Sequence, residues 1–377
     1  MRVFLLYHGR FPSEKAASLF AAEEAAGFAK IGVETVLVVP RRLGRVREAP
    51  TTYYALESVV RTVFLPTVDL FWIPHMGRIA QDVSALAFSL AALIFLALRA
   101  KKDDWIISNE PLPLLFASLR FRNTIYEVHD FPEKKSALFA LVFRRVRRIL
   151  ATNRWKAAEL SKRYGIRRER MFVELNAVDV SAFDVSLTRD DARRRLSLPL
   201  GERLVVYTGH LYSWKGVDTL IEAARLLPDV SVYLVGGTEY HLRAYREKYG
   251  MIRNLHIVGH RPHDEMPAWQ RAADLLVLPN TAKEEISARY TSPMKLFEYM
   301  ASGTPIVASD IPSISEIAKG RAILVTPDNP GSLAAGITRV LTDGAEREMD
   351  AARAWVKDHT WIRRAERIAN HLKNAAH

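Results

Sequence analysis

The chain is punctuated by short apolar runs that lack polar alternation, and segments of helical character separate them. In the first half these are RVFLLY at 2–7, VETVLVVP ending at Pro40, TVFLP, WIISNE at 105–110 and NTIYEVHD at 123–130. In the second half the pattern restarts with RLVVYTG, SVYLVGG, LHIVGH, DLLVLPN, PIVASD and AILVTPDNP. A strand apolar on both faces is covered on both faces, which belongs to a mostly parallel sheet with helices on either side. A single hydrophobic core rarely grows to serve 377 residues. The expected fold is therefore α/β with two successive doubly wound domains. The stretch FDVSLTRDDARRRLSLPLGE, charged and without strand character, marks the boundary between them. We place the domains at 1–190 and 191–355, with 356–377 as a closing helix. Parallel sheets bind ligands beyond the carboxyl ends of their strands, so an active site is expected in a cleft lined by strand ends from both domains.

Composition narrows the chemistry. There is no cysteine, so disulfides, thiolate nucleophiles and cysteine-held metals are excluded together, in keeping with a cytoplasmic protein. The eleven histidines form no HExxH motif and no close His/Asp cluster, and no metal is expected. A formal charge of +12 favours an anionic partner. No zinc-finger spacing or RNA-binding aromatic signature points to nucleic acid. MRVFLLYHGRFP turns polar too soon for a secretory signal and reads as a first core strand. The uncharged run from Val83 to Leu98 is shorter than the about 20 residues that span a bilayer, and reads as a buried or interfacial helix.

Candidate site residues lie at the predicted strand ends. Asn109, Glu110, His129 and Asp130 close two strands of the first half. His129 is placed to exchange hydrogen bonds with a bound hydroxyl, while Asp130 before Phe131 and Pro132 suits a turn or helix entrance. The first loop, GRFPSEKAAS, offers Ser13 either as an N-cap or as a cleft residue. In TGHLYSWKGVDTLIEAA, Gly209 permits a close turn, and His210 and Lys215 offer donors or positive charge to a diphosphate. In SPMKLFEYMASG, Ser292 is read as the cap of a helix whose first residue is Pro293. Met294 and Lys295 then supply early backbone N–H groups at a helix mouth that attracts phosphate, and Lys295 adds its ammonium. Glu298, about one turn on, can accept hydrogen bonds from the adjacent hydroxyls of a ribose. Leu296, Phe297 and Met300 are expected to anchor this helix in the core. The glycine pair at 236–237 is not a dinucleotide fingerprint, so nicotinamide chemistry is not expected.

These motifs together resemble the retaining glycosyltransferases of GT-B architecture, especially family GT4. The resemblance extends to GRFPSEKAAS, to EVHD at 127–130, to NAVDVSAFD at 176–184 and to TWIRRAERI near the C-terminus. It implies two Rossmann-like domains facing across a cleft, and a last helix that returns to the first domain. It also implies a UDP- or GDP-sugar donor bound by the second domain and no further cofactor. In this likeness Lys215 is the phosphate-binding lysine and Glu298 the ribose-binding second glutamate. Two positions depart from the family pattern: His210 stands where many members have arginine, and Tyr290 where they have a first glutamate. Glu284 or Glu285 is the candidate replacement if the preceding loop folds inward.

The implied reaction moves the sugar to a hydroxyl of a saccharide or lipid-linked acceptor with retention of configuration, without metal. Lys215, Lys295 and helix N–H groups would stabilise the departing phosphate, and His129 would orient a sugar hydroxyl. ALFALVFRRVRRIL, with Arg144, Arg145, Arg147 and Arg148 and with Lys134, Lys135, Arg154 and Lys156 nearby, reads as a basic amphipathic helix. Such a helix can approach the anionic headgroups of an inner membrane face. A noncatalytic sugar-nucleotide or polyanion-binding module and a GT-B epimerase are the alternative readings.

Overall fold

The computed structural model describes residues 1–376 apart from 44, 45, 47, 57, 74, 130–134, 184 and 185. Asp130 and Lys134 therefore lie outside the described residues. The chain forms two units, one of Met1–Leu175 with Trp361–His377 and the other of Asn176–Thr360.

The first unit is built on β1 (Arg2–Leu6), β2 (Glu34–Arg41), β3 (Arg61–Pro66), β4 (Trp105–Ser108), β5 (Thr124–Val128), β6 (Arg148–Ala151) and β7 (Met171–Val173). They lie side by side in the order β3-β2-β1-β4-β5-β6-β7, every pair parallel. On one face a core of Phe4, Leu6, Tyr126 and Ile149 meets Phe88, Ala92, Leu114 and Phe143 from three helices. The C-terminal helix Trp361–Ala376 packs against helix Ala16–Lys30. Gly27 makes that approach possible, because a Cβ there would stand 2.6 Å from the Trp361 carbonyl oxygen. The last helix thus returns to the first unit, as the resemblance implies.

The second unit carries β8 (Arg203–Thr208), β9 (Val230–Val235), β10 (Leu255–Gly259), β11 (Leu275–Leu278), β12 (Ile306–Ser309) and β13 (Ile323–Val325). Their order is β10-β9-β8-β11-β12-β13, again all parallel. In each sheet the direction of winding reverses once, beside β1 and beside β8. Each unit is thus a doubly wound, Rossmann-like domain, and the fold class is that of GT-B proteins, as expected.

Between the units the chain crosses at Leu175/Asn176 and Thr360/Trp361, where the sequence suggested 190/191 and 355/356. The charged segment belongs to the second unit for an electrostatic reason. Its helix Arg189–Arg195 is held by Arg193, 2% exposed, which donates to Asp274 at 2.8 Å and to the Ala272 carbonyl at 2.9 Å.

Other readings need correcting. ALFALVFRRVRRIL is helical only over Ala137–Arg145, and Arg148 opens β6. The sequence concealed this strand because it is only four residues long and opens on an arginine that continues a basic run. Arg147 stacks on Trp105 at 5.5 Å, while Ile149 and Leu150 are buried. Lys156 does not face solvent. It is 3% exposed and donates to the carbonyls of Val128 at 3.0 Å and His129 at 2.7 Å. Ser13 caps no helix: the helix begins at Ala16 with Lys15 as its N-cap residue, and the Ser13 N–H and C=O both bond the Tyr54 hydroxyl at 2.8 Å. The apolar run at 83–98 belongs to helix Gly77–Arg99, whose length and composition would allow it to cross a membrane.

Candidate functional site

In the second unit the site grows from the end of β8. Tyr207 and Thr208 are buried there, and the chain turns at Gly209 with φ +123°. That φ favours glycine, and a Cβ on Gly209 would stand 2.6 Å from the Lys295 ammonium and displace it. The Tyr207 hydroxyl donates to the His210 carbonyl at 2.6 Å and shapes the loop that follows. His210 stacks on Tyr212, ring centroids 5.1 Å apart. A short 3₁₀ turn, Ser213–Lys215, then carries Lys215 with its ammonium 3.7 Å from the centre of the Trp214 ring.

The second arm is helix Met294–Ser302. Its N-cap residue is Pro293, not Ser292, and no side chain caps it. Ser292 lies one residue too early: its carbonyl accepts from the Asn176 amide at 2.6 Å, and its buried hydroxyl has no partner among the described residues. The N–H groups of Met294 and Lys295 precede the helical ladder and stay available to an anion at the positive end of the helix. Leu296, Phe297 and Met300 are buried, as expected of anchors. Tyr299 fastens the helix to the strand end, since its hydroxyl accepts from the Thr208 N–H at 2.9 Å and lies 3.1 Å from the Thr208 hydroxyl.

These two arms bring Gly209, Lys215, Lys295 and Glu298 together. Lys295 projects over the Tyr207 ring at 3.9 Å, and its buried ammonium has no hydrogen-bond acceptor among the described residues. Burial drives Lys295 well below the usual lysine range and Lys215 pushes it further, while Glu298 opposes both. Burial alone takes Lys215 down to about 7. Two crowded, desolvated ammonium groups at a helix N-terminus form a site whose charge an anion would neutralise.

Glu298 is half-buried and has a neighbour the sequence did not reveal, since His263 Nε2 lies 3.5 Å from its Oε1. Tyr290, where the resemblance would place a first glutamate, ends a π-helical turn, Ile286–Tyr290. Of the two acidic candidates to replace it, Glu284 reaches the lysine loop and accepts from the Ser213 hydroxyl at 3.0 Å. Glu285 instead pairs with Arg289 at 3.2 Å on the surface.

His129 belongs to the first unit. The Asn109 amide lies 3.3 Å from its Nδ1, and the carboxylate of Glu127 lies 3.1 Å from Nε2. An amide donating to Nδ1 leaves the proton on Nε2, facing Glu127. The ring packs edge-on against Phe20 at 4.3 Å and is one-fifth exposed, so a hydroxyl would take the place of Asn109 to reach Nδ1. Behind it lies a buried cluster that the sequence did not announce. Arg364 of the C-terminal helix, 1% exposed, bonds Glu24 and Glu127 at 2.5 Å each. Burial and the charge of Glu127 raise Glu24. Burial would raise Glu127 as well, but Arg364 and His129 outweigh it and hold Glu127 below the usual carboxylate range.

A family described as glycosyl transferases group 1 matches residues 188–356. The D-inositol 3-phosphate glycosyltransferase of Corynebacterium urealyticum is 24% identical over 263 residues, 65% of this chain but only 60% of that relative. The chain thus spans about three-fifths of that relative's length. Among solved structures, the sucrose-phosphate synthase of Thermosynechococcus elongatus superposes with a TM-score of 0.80 at 18% identity, covering 99% of this chain and 98% of that one. HepE of Anabaena, solved in complex with UDP and glucose, gives 0.75 at 19% identity with 99% of both chains covered. Residues 188–356, most of the second unit, thus match the glycosyl transferases group 1 family, and the whole chain shares the fold of these solved structures.

Proposed function

We propose that this protein transfers a sugar from a UDP- or GDP-sugar to a hydroxyl of a saccharide or lipid-linked acceptor, with retention of configuration. The observation that carries the proposal is that Lys295, in the first turn of helix Met294–Ser302, has a buried ammonium with no acceptor among the described residues and is crowded by Lys215. When the bond from the anomeric carbon to the phosphate oxygen breaks, negative charge grows on the diphosphate and positive character on the sugar. Cations and N–H groups already positioned in a water-poor site bind that growing charge without reorganising, which lowers the barrier. Glu298 would hold the ribose hydroxyls. In a front-face attack the departing phosphate would accept the acceptor's proton, so no protein base is required on that face. His129 would bind a sugar hydroxyl at Nδ1 in exchange for Asn109. HepE, bound to UDP and glucose in its own crystal structure, supports a nucleotide-sugar donor.

Incubation with a panel of UDP- and GDP-sugars and candidate acceptors tests the reading. Donor-dependent glycan formation is expected, and Lys295→Ala or Lys215→Ala should each weaken donor use by roughly 10- to 100-fold, the scale of one charge-assisted hydrogen bond. Binding without turnover would instead make the chain a noncatalytic module, and isomerised donor without an acceptor would make it an epimerase. Full turnover by both variants across a donor titration would remove the lysines from the site.

A further inference from the structure

Helix Gly77–Arg99 has two apolar faces, and the sheet needs only one. Ala80, Ser84, Phe88, Ala92 and Leu96 recur every fourth residue and are buried, the last three in the first unit's core. Ile79, Val83, Leu86, Leu90, Ile94 and Leu98 point the other way and are 36–78% exposed. At 3.6 residues per turn these six fall within a stripe about 120° wide and about 28 Å long. Only 33% of the helix's most apolar window is buried. A continuous exposed apolar stripe of this size marks an interaction surface.

From this geometry we infer that the stripe is a membrane-docking surface, seated flat in the headgroup region of an anionic bilayer. The helix cannot span the bilayer without withdrawing its other face from the core, so it lies parallel to the lipid surface. Charge at its ends chooses lipid over a second copy of the chain. Arg78 at one end and Arg99, Lys101 and Lys102 at the other are exposed, and on the helix and the turn after it the exposed acids among the described residues are Asp82 and Asp103. A two-fold pairing of antiparallel helices would set Arg78 against its partner's Arg99 end, like charge on like, whereas anionic headgroups complement both ends. Trp72 is 70% exposed and Phe71 40% exposed just before the helix, an aromatic pair of the kind that settles at a lipid–water interface.

The neighbouring helices extend the surface. Pro111–Ser118 packs on this helix, and Ala137–Arg145 packs on Pro111–Ser118. Leu119 and Leu141 are exposed along that layer, and so are Arg144 and Arg145. Arg144 and Arg145, two of the basic residues read from the sequence as headgroup contacts, therefore lie on the same helical layer as the apolar stripe, which supplies the insertion they lack. This inference does not depend on the sugar-transfer reading.

Co-sedimentation of the full chain with vesicles of phosphatidylcholine alone, or of phosphatidylcholine with phosphatidylglycerol, tests it. Wild type is expected to pellet with the anionic vesicles and to be partly released by salt. Leu86→Ser, Leu90→Ser and Ile94→Ser combined should keep the wild-type circular dichroism and melting temperature, because all three side chains are exposed, while vesicle affinity falls on the order of a hundredfold. Arg144→Gln with Arg145→Gln should mainly reduce the salt-sensitive part of binding. The inference fails if wild type stays in the supernatant with both vesicle types, or if the triple variant pellets as wild type does. It also fails if wild type is a dimer by light scattering that the triple variant converts to monomer with vesicle binding unchanged.

Discussion

Lys215 and Lys295 show what a residue's surroundings add to its chemistry. On the surface either would be a solvated cation. Here they are desolvated and crowded, and Lys215 titrates near neutrality. The sign of the coupling follows. A bound diphosphate favours the protonated form and raises the lysine above about 7, so binding takes up protons when the pH lies between the free and the bound value. Calorimetry with UDP in buffers of different ionisation enthalpy should show net proton uptake on the alkaline side of neutrality and weaker affinity as pH rises further. Binding with no proton exchange across that range would mean that Lys215 does not face the diphosphate. Lys215, Lys295 and Glu298 were legible because local spacing on one turn and one helix set them out. Asn176, His263 and Tyr299 were not, because each acts on a partner far along the chain.

Among the elements, the C-terminal helix depends most on groups outside itself. Arg364 brings one positive charge to two buried carboxylates, and the balance closes if Glu24 keeps its proton while Glu127 stays ionised. A carboxyl whose native value is raised holds a proton that the unfolded chain has already released. Stability from Glu24 is therefore full below the ordinary carboxylate range, declines as pH rises through it, and levels off once Glu24 itself ionises. Glu24→Gln should flatten that decline between mildly acidic and mildly alkaline pH in urea titrations. An unchanged slope would mean that Glu24 is ionised throughout. Arg364→Met should cost roughly 3–5 kcal/mol, because it leaves Glu127 buried without its counter-charge. The expectation fails if that variant unfolds at the wild-type urea concentration. In this region the sequence marked EVHD and TWIRRAERI, yet nothing in either segment names its partner.

For the molecule as a whole, the chain leaves the first unit at Leu175 and re-enters it at Trp361, so the first unit is assembled from both ends of the sequence. Truncation after Thr360 removes Trp361 and Arg364 from that unit and nothing from the core of the second. Calorimetry should then show one transition shifted to lower temperature and the other nearly in place. Equal shifts of both would mean that the C-terminal helix supports more than the unit it packs in.

The sequence by itself determined the two parallel sheets, since an apolar run flanked by helices has few other ways to be buried. It also set cation, glycine and helix start as neighbours in the segments around 209–216 and 292–298, the arrangement on which the proposed phosphate site rests. Tertiary structure alone decided that Arg148 belongs to a strand, that Lys156 is a buried clamp, and that Arg364 closes a cluster begun by Glu24 and Glu127. It alone decided which face of helix Gly77–Arg99 is covered. The reason is physical: spacing along the chain shows which residues share an element's face, but burial and the value of a charge depend on what the fold brings opposite them.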